Sequence, residues 1–340
     1  ARSTEGPLAW WGQGLAVLHQ QHEAHQPPQE RLEQLEALAT PQAPLQWAMD
    51  AGTAVIIDVR EDAEVAEAVH EAAPAHVFEF SEAGVAYSAN GVEGFTDFAP
   101  GTLVASPVQD NILSADAVAS ALQRIAGSNS GKKRRPAAVI LPDYAVRVSL
   151  LDFDSFPSSA EEQLALVRFR VKKTIPFDVE SAAVSYWIQP GSGGKSVVAA
   201  TVAIEILARY EALFRAAGFH PGEVTSSSLA ALQLHHEPGV VVIAKLAGHV
   251  LTVMAVADGR LKLFRCLTLD EVTDQELMGV LQPTFAYVED ELGQPVSKLV
   301  MCGFGRAPEG VTVPVDQLRS KLGSVNGFNA GLLGYLESVQ

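Results

Sequence analysis

The sequence predicts an α/β protein of more than one domain, and three observations carry that reading. At 340 residues the chain is longer than one hydrophobic core usually fills. Short apolar runs of strand length alternate along it with segments of helical period. Residues 136–177 compress that alternation into a single stretch. There, residues 137–141 are an apolar run closed by Pro142, which has the length and boundary of a buried strand. Residues 146–153 then alternate Val146, Val148 and Leu150 with Arg147, Ser149 and Leu151, a strand period. Residues 161–173 place Leu164, Val167 and Val171 at helical spacing, with Glu161 and Glu162 first and Lys172 and Lys173 last. That charge order suits a helix dipole, and Pro176 ends the helix.

Taken in order, residues 1–74 stand apart. His19, His22 and His25 lie three apart in LHQQHEAHQPPQ. That spacing can face a metal, but Pro27 and Pro28 favour a solvated linker. Residues 54–59 and 61–71 read as one strand and one helix. Residues 75–145 carry two strands around a turn at 82–84, then an amphipathic helix over 114–125. Ser114 is placed as its N-cap and Gly127 lies just beyond its end. Residues 146–222 run strand, helix, strand (183–188), strand (196–204), helix (207–217). A helix over 225–234 fills residues 223–239. Residues 240–325 give strands at 240–246, 249–257 and 260–265, a helix over 270–291 and a strand at 297–302. A last segment, 328–338, falls within residues 326–340.

Charge and composition narrow the function. A net charge of −16 argues against a nucleic-acid surface, which needs clustered Lys and Arg. The basic run Lys132–Arg135 reads as a solvated loop end. Cys266 and Cys302 lack Cys-x-x-Cys spacing, which suggests packing in a reducing compartment. The start, ARSTEGPLAWW, has no long apolar core of a secretory signal. Residues 240–257 are the longest apolar stretch, but Lys245, Gly248 and His249 interrupt it, so two strands explain it better than a membrane span. The expectation is a soluble cytoplasmic protein with no metal site.

Few motifs for chemistry stand out. Gly194-Lys195-Ser196 invites a phosphate-loop reading, but Gln189 stands where the first glycine belongs. The adjoining residues, SVVAATVAI, read as a strand, whereas a phosphate loop opens a helix. The run Ser226–Ser228 reads as a helix cap, since no Gly-x-Ser-x-Gly elbow surrounds it. His235 and His236, between a helix and Pro238, read as contacts to a helix C-terminus.

The order of signals in residues 136–177 does resemble a family. A strand ending Leu141-Pro142-Asp143, the strand RVSLLDFD, Phe156-Pro157, an acidic-started helix and Ile175-Pro176-Phe177 are similar to the PilM family. These are actin-like cytoplasmic proteins of type IV pilus assembly related to the cell-division protein FtsA. The similarity runs from about Val77 to the C-terminus and leaves residues 1–74 without a counterpart. It implies an actin-like (ribonuclease H-like) fold. Residues 75–145 form part of a first lobe and 146–222 an inserted FtsA-type β-α-β-β-α subdomain. Residues 223–239 then return to the first lobe, 240–325 form the second lobe, and 326–340 come back to the first.

The resemblance also locates a nucleotide site to inspect. Related ATPases carry Asp-x-Gly-x-x-x-x-Lys after the first strand; here the stretch is Glu79 to Ala86, with Glu79 for Asp, Ser81 for Gly and Ala86 for Lys. Glu82 adds negative charge and Gly84 remains. The second Asp-x-Gly becomes Lys245-Leu246-Ala247, and a lysine cannot organise Mg²⁺ as a carboxylate does. The adenosine loop is kept in part as Gly303 and Gly305. The sequence therefore predicts no hydrolysis and no required cofactor. The competing class is an actin-like ATPase whose lobes close on Mg-ATP; a filament former is a third.

Binding remains. The resemblance implies a groove between the first lobe and the insert that receives the cytoplasmic tail of a PilN-like inner-membrane protein. The positions matching the family there are Arg147, Arg168, Lys172, Ile175, Pro176 and Phe177. The implied role is an adaptor peripheral to the inner membrane, in a pilus or type II secretion platform, linked to motor ATPases and the platform protein. Ile175 and Phe177 also suit a plain anchoring role, and Arg168 with Lys172 a solvated helix face.

Overall fold

The computed structural model describes residues 74–127, 134–189 and 195–339. The three histidines, the strand and helix read within 54–71, Lys132 and Lys133, and residues 191–194 lie outside the described residues.

Strands β1 (Val77–Ser81), β2 (Gly84–Ala89) and β3 (Val92–Asp97) form an antiparallel meander. Asn90 and Gly91, both at positive φ, make its second turn. Helix α1 (Ala115–Ala126) leads to β4 (Arg135–Leu141), parallel to β1, and later β8 (Phe219–Ser226) adds parallel to β4. The order is β3-β2-β1-β4-β8. Ser114 holds the N-cap position of α1, though its side chain makes no capping bond.

The insert is a second layer. Strand β5 (Arg147–Phe153), helix α2 (Ala160–Val171), strands β6 (Ala182–Ile188) and β7 (Lys195–Ala203) give an antiparallel sheet ordered β5-β7-β6. The helix buries Leu164, Val167 and Val171 against Val184, Tyr186 and Val197, as its spacing required. Helix α3 (Ile204–Ala216) completes the β-α-β-β-α order. Its buried face turns to the first lobe, where the Tyr210 ring lies 5.2 Å from Phe80 and Phe214 5.0 Å from Phe78.

Helix α4 (Ser227–Ala231) and one 3₁₀ turn (Leu232–Leu234) follow β8. The second lobe has β9 (Val241–Ala247), β10 (Val250–Ala257), β11 (Arg260–Thr268), helix α5 (Asp274–Leu292), β12 (Lys298–Cys302) and β13 (Val315–Gln317), ordered β11-β10-β9-β12-β13. Its core joins Val242, Leu251 and Val253 to Leu281 and Leu299. Helix α6 (Ala330–Ser338) lies against α4 of the first lobe. The approach is close enough that a Cβ on Gly331 would meet Ser227 O at 2.8 Å, and one on Gly334 would meet Ala230 O at 2.2 Å.

One expectation is corrected. The sequence placed no strand between 217 and 225, yet β8 is there and fully buried. Pro221 and Gly222 hid it. Ala137 pairs with Pro221 and Ala138 with Glu223, so Gly222 is the extra residue of a bulge, the place where a strand tolerates both. The helix read over 225–234 is consequently short.

Candidate functional site: the cleft between the lobes

Two carboxylates from the first lobe meet a polar row of the second. Glu79 sits on β1, and Asp143 opens a 3₁₀ turn just after β4. Across from them, Cys266, Thr252, Lys245 and Cys302 are register partners on β11, β10, β9 and β12 and so form one row across the sheet. The Asp143 carboxylate is buried and takes four donors. Its Oδ1 accepts from Ser228 N at 2.6 Å, and its Oδ2 from Ser228 Oγ at 2.5 Å, Lys245 Nζ at 3.1 Å and Thr252 Oγ1 at 3.1 Å. The first two come from α4, the last two from the second lobe. Glu79 accepts from Ser227 Oγ and, at 2.8 Å, from Leu332 N in α6.

Burial sets the charges. It pushes Glu79 above the ordinary carboxylate value, although Lys245, the Ser227 hydroxyl and Leu332 N–H pull the other way. Burial pulls Lys245 down, but Asp143 and Glu79 together outweigh it and the net direction is up, so an ammonium is kept. Burial raises both Cys266 and Cys302 to about 12, leaving them thiols. The cleft thus holds an internal ion pair at 3.1 Å, with side-chain exposures of 3% for Lys245 and 2% for Asp143.

A divalent cation asks for oxygen ligands. Here an ammonium faces Asp143, and that carboxylate already accepts from four protein donors, three of them on Oδ2. The donor set does not fit Mg-ATP. Most of the other expected nucleotide positions have packing work. Ser81 Oγ donates to Gly84 O at 3.0 Å, and a Cβ on Gly84 would fall 2.2 Å from Thr96 O. Exposed Glu82 accepts from Ala105 N at 2.9 Å. Gly303, at φ +82°, lies so near that a Cβ would fall 2.0 Å from Leu246 O and 3.0 Å from Gly327 Cα. Ala247 is half-buried at the end of β9, and Gly305 is exposed with open space around it. Sequence reasoning missed Asp143, Ser227, Ser228 and Thr252 as site residues; a buried acid just after a Leu-Pro strand end was the available signal.

Gln189, at the first-glycine position of the phosphate-loop pattern, has another use. Its amide Nε2 donates to Leu261 O at 2.9 Å and its Oε1 accepts from Leu261 N at 2.7 Å. The side chain imitates a β-bridge and ties the insert to β11, the edge of the second-lobe sheet. The chain leaves that loop as a strand, as expected.

The six tail-binding candidates divide. Arg168 donates through Nη1 to Ala182 O at 3.3 Å and through Nη2 to Val179 O, with Glu180 3.4 Å away. Only 14% of its side chain is exposed, so it staples α2 to the segment before β6. Ile175 and Phe177 pack half-buried on the insert's core, whereas Lys172 and Pro176 are exposed. Ser149 Oγ and Thr174 Oγ1 are 3.3 Å apart, which brings the turn after α2 beside β5. Arg147, on the same face of β5 as Ser149 and two residues before it, lies 5.4 Å over the Tyr144 ring.

No protein-family model and no curated protein matches the chain. Solved structures do. The PilM-PilN type IV pilus biogenesis complex matches with a TM-score of 0.57 at 17% identity, covering 78% of this chain and 99% of that one. The cytoplasmic domain of EpsL, an inner-membrane component of the Vibrio cholerae type II secretion system, matches with a TM-score of 0.50 at 15% identity, covering 77% and 93%. Among the described residues, no helix is long and apolar enough to cross a membrane. At these identities the likeness speaks to architecture, and it agrees with the sheets and insert described above: the chain has the actin-like two-lobe α/β fold with an FtsA-type β-α-β-β-α insert.

Proposed function

We propose that this chain is a non-hydrolysing actin-like adaptor of an inner-membrane platform for type IV pilus assembly or type II secretion, held there by the cytoplasmic tail of a PilN-like membrane protein. One observation carries the non-hydrolysing part. The place where a carboxylate would order a metal is filled by Lys245, and Lys245 with Asp143 joins the lobes from within. Closure that an ATPase obtains from its ligand is built into this chain's side chains. The architecture shared with the PilM-PilN complex supports the tail as partner. The tail's docking face is the turn after α2, with exposed Lys172 and Pro176 and the rims of Ile175 and Phe177, and it extends along β5 toward Arg147. Main-chain bonding with apolar side chains in shallow pockets is the mode that suits such a tail. On this reading the protein is cytoplasmic and reaches the membrane, the motor ATPases and the platform protein through its partner.

Titration calorimetry with Mg-ATP, and separately with a synthetic PilN-like tail peptide, tests this. The expected result is peptide heat that Lys172→Glu weakens and no heat from Mg-ATP. Tight Mg-ATP binding with turnover overturns the reading in favour of an ATPase whose lobes close on nucleotide.

A further inference from the structure

Helix α2 turns its apolar stripe inward, and beyond Glu161 and Glu162 in its first turn its C-terminal end is unlike the rest of this acidic chain. Residues 163–177 contain Arg168, Arg170, Lys172 and Lys173 but no Asp or Glu, in a chain of net charge −16. Arg168 is committed to Ala182, Val179 and Glu180. The other three form no ion pair among the described residues. Between them stands Phe169, 63% exposed. Lys173 Nζ lies 5.9 Å from the Phe169 ring centroid, and the Arg170 guanidinium lies 5.0 Å over Phe153. Both charged heads thus lie within cation–π reach of an aromatic ring.

We propose that this face of the insert is a docking surface for an anionic lipid bilayer. An exposed aromatic ring ringed by Lys and Arg on a helix is the chemistry of an interfacial contact: the ring enters the headgroup boundary and the cations meet lipid phosphates. An acidic polypeptide would satisfy the cations equally. A polyanionic segment would leave Phe169 exposed, whereas the headgroup boundary of a bilayer takes up the ring together with the cations. The negative charge elsewhere does not cancel the attraction, because fields fade over about 8 Å at physiological ionic strength. Three cations and one ring give weak, salt-sensitive adhesion, which orients a protein already held by a membrane partner. Lys172 borders both faces, and the inference is tested apart from the tail reading on Phe169, Arg170 and Lys173, which are outside the positions assigned to the tail.

Vesicle co-sedimentation of the full chain tests it, comparing phosphatidylcholine alone with vesicles about one third phosphatidylglycerol. The wild type is expected to bind the anionic vesicles and to release them as salt rises. Arg170→Gln with Lys173→Gln should weaken partitioning roughly 25-fold, at about fivefold per cation. Phe169→Ser should weaken it further. All three side chains are exposed, so thermal melting of the variants should match the wild type. Two results overturn the proposal. One is wild type that ignores anionic vesicles. The other is polyglutamate binding that depends on these residues without any vesicle binding, which would make the face a site for acidic protein.

Discussion

The Asp143 carboxylate of the first lobe and the Lys245 ammonium of the second lie 3.1 Å apart, both buried, and no solvent screens them. A pair so placed is costly to break from one side, because the survivor stays charged in a dry site.

Lys245→Met should therefore destabilise the chain by about 3–5 kcal/mol. Joining it to Asp143→Asn should recover most of that loss, since no unpaired charge remains. Urea denaturation of the two single variants and the double variant measures the coupling. Additive losses would remove the ion pair from the account.

The pH dependence has two edges. Glu79 is raised from 4.5 by burial, which outweighs its partners, so the folded chain holds that proton more tightly than the unfolded one. Stability should fall as pH climbs from about 4.5 through the raised value. Lys245 is raised above 10.5, so its contribution is complete below that pH and is lost as pH rises through its folded value. Glu79→Gln should flatten the acid-side slope and leave the alkaline one. Urea midpoints across pH would show it.

Gln189→Ala should free the Leu261 N–H and C=O inside the protein, at about 1–3 kcal/mol for each group left unsatisfied. Hydrogen exchange at Leu261 should quicken while the β9–β10 amides keep their protection. Unchanged exchange at Leu261 would mean that the edge of β11 is held by something else.

Gly334→Ala should be worse than Gly331→Ala, because its Cβ would meet a backbone oxygen at 2.2 Å rather than 2.8 Å. Overpacking of this kind costs about 1–3 kcal/mol. Gly305→Ala, with open space around it, should stay within about 0.5 kcal/mol of wild type. Thermal melts of the three variants give the ranking.

Much of this was legible in residue order. The inward face of α2 followed from Leu164, Val167 and Val171, and strands β9 to β12 of the second lobe from their apolar runs. Period shows that a helix has a buried face but not what it is buried against, so α3 read as part of the insert although Tyr210 and Phe214 belong to the first lobe's core. The cleft divided the same way. Glu79 and Lys245 stood out as departures from a pattern. Asp143 gathers Ser228, Lys245 and Thr252 from 85, 102 and 109 residues away, and no local spacing encodes such a meeting.

The bond from Leu332 N to Glu79 joins positions 253 apart in the chain. On the ribosome the first strand emerges long before the helix that covers its carboxylate. The strands of the second lobe pair only with one another and can settle as they are made, whereas the first lobe must wait with its acid uncovered until that helix is made. A chain cut before that helix would therefore betray itself by an unfinished first lobe, and the cell's quality control would meet a defect there rather than at the cut.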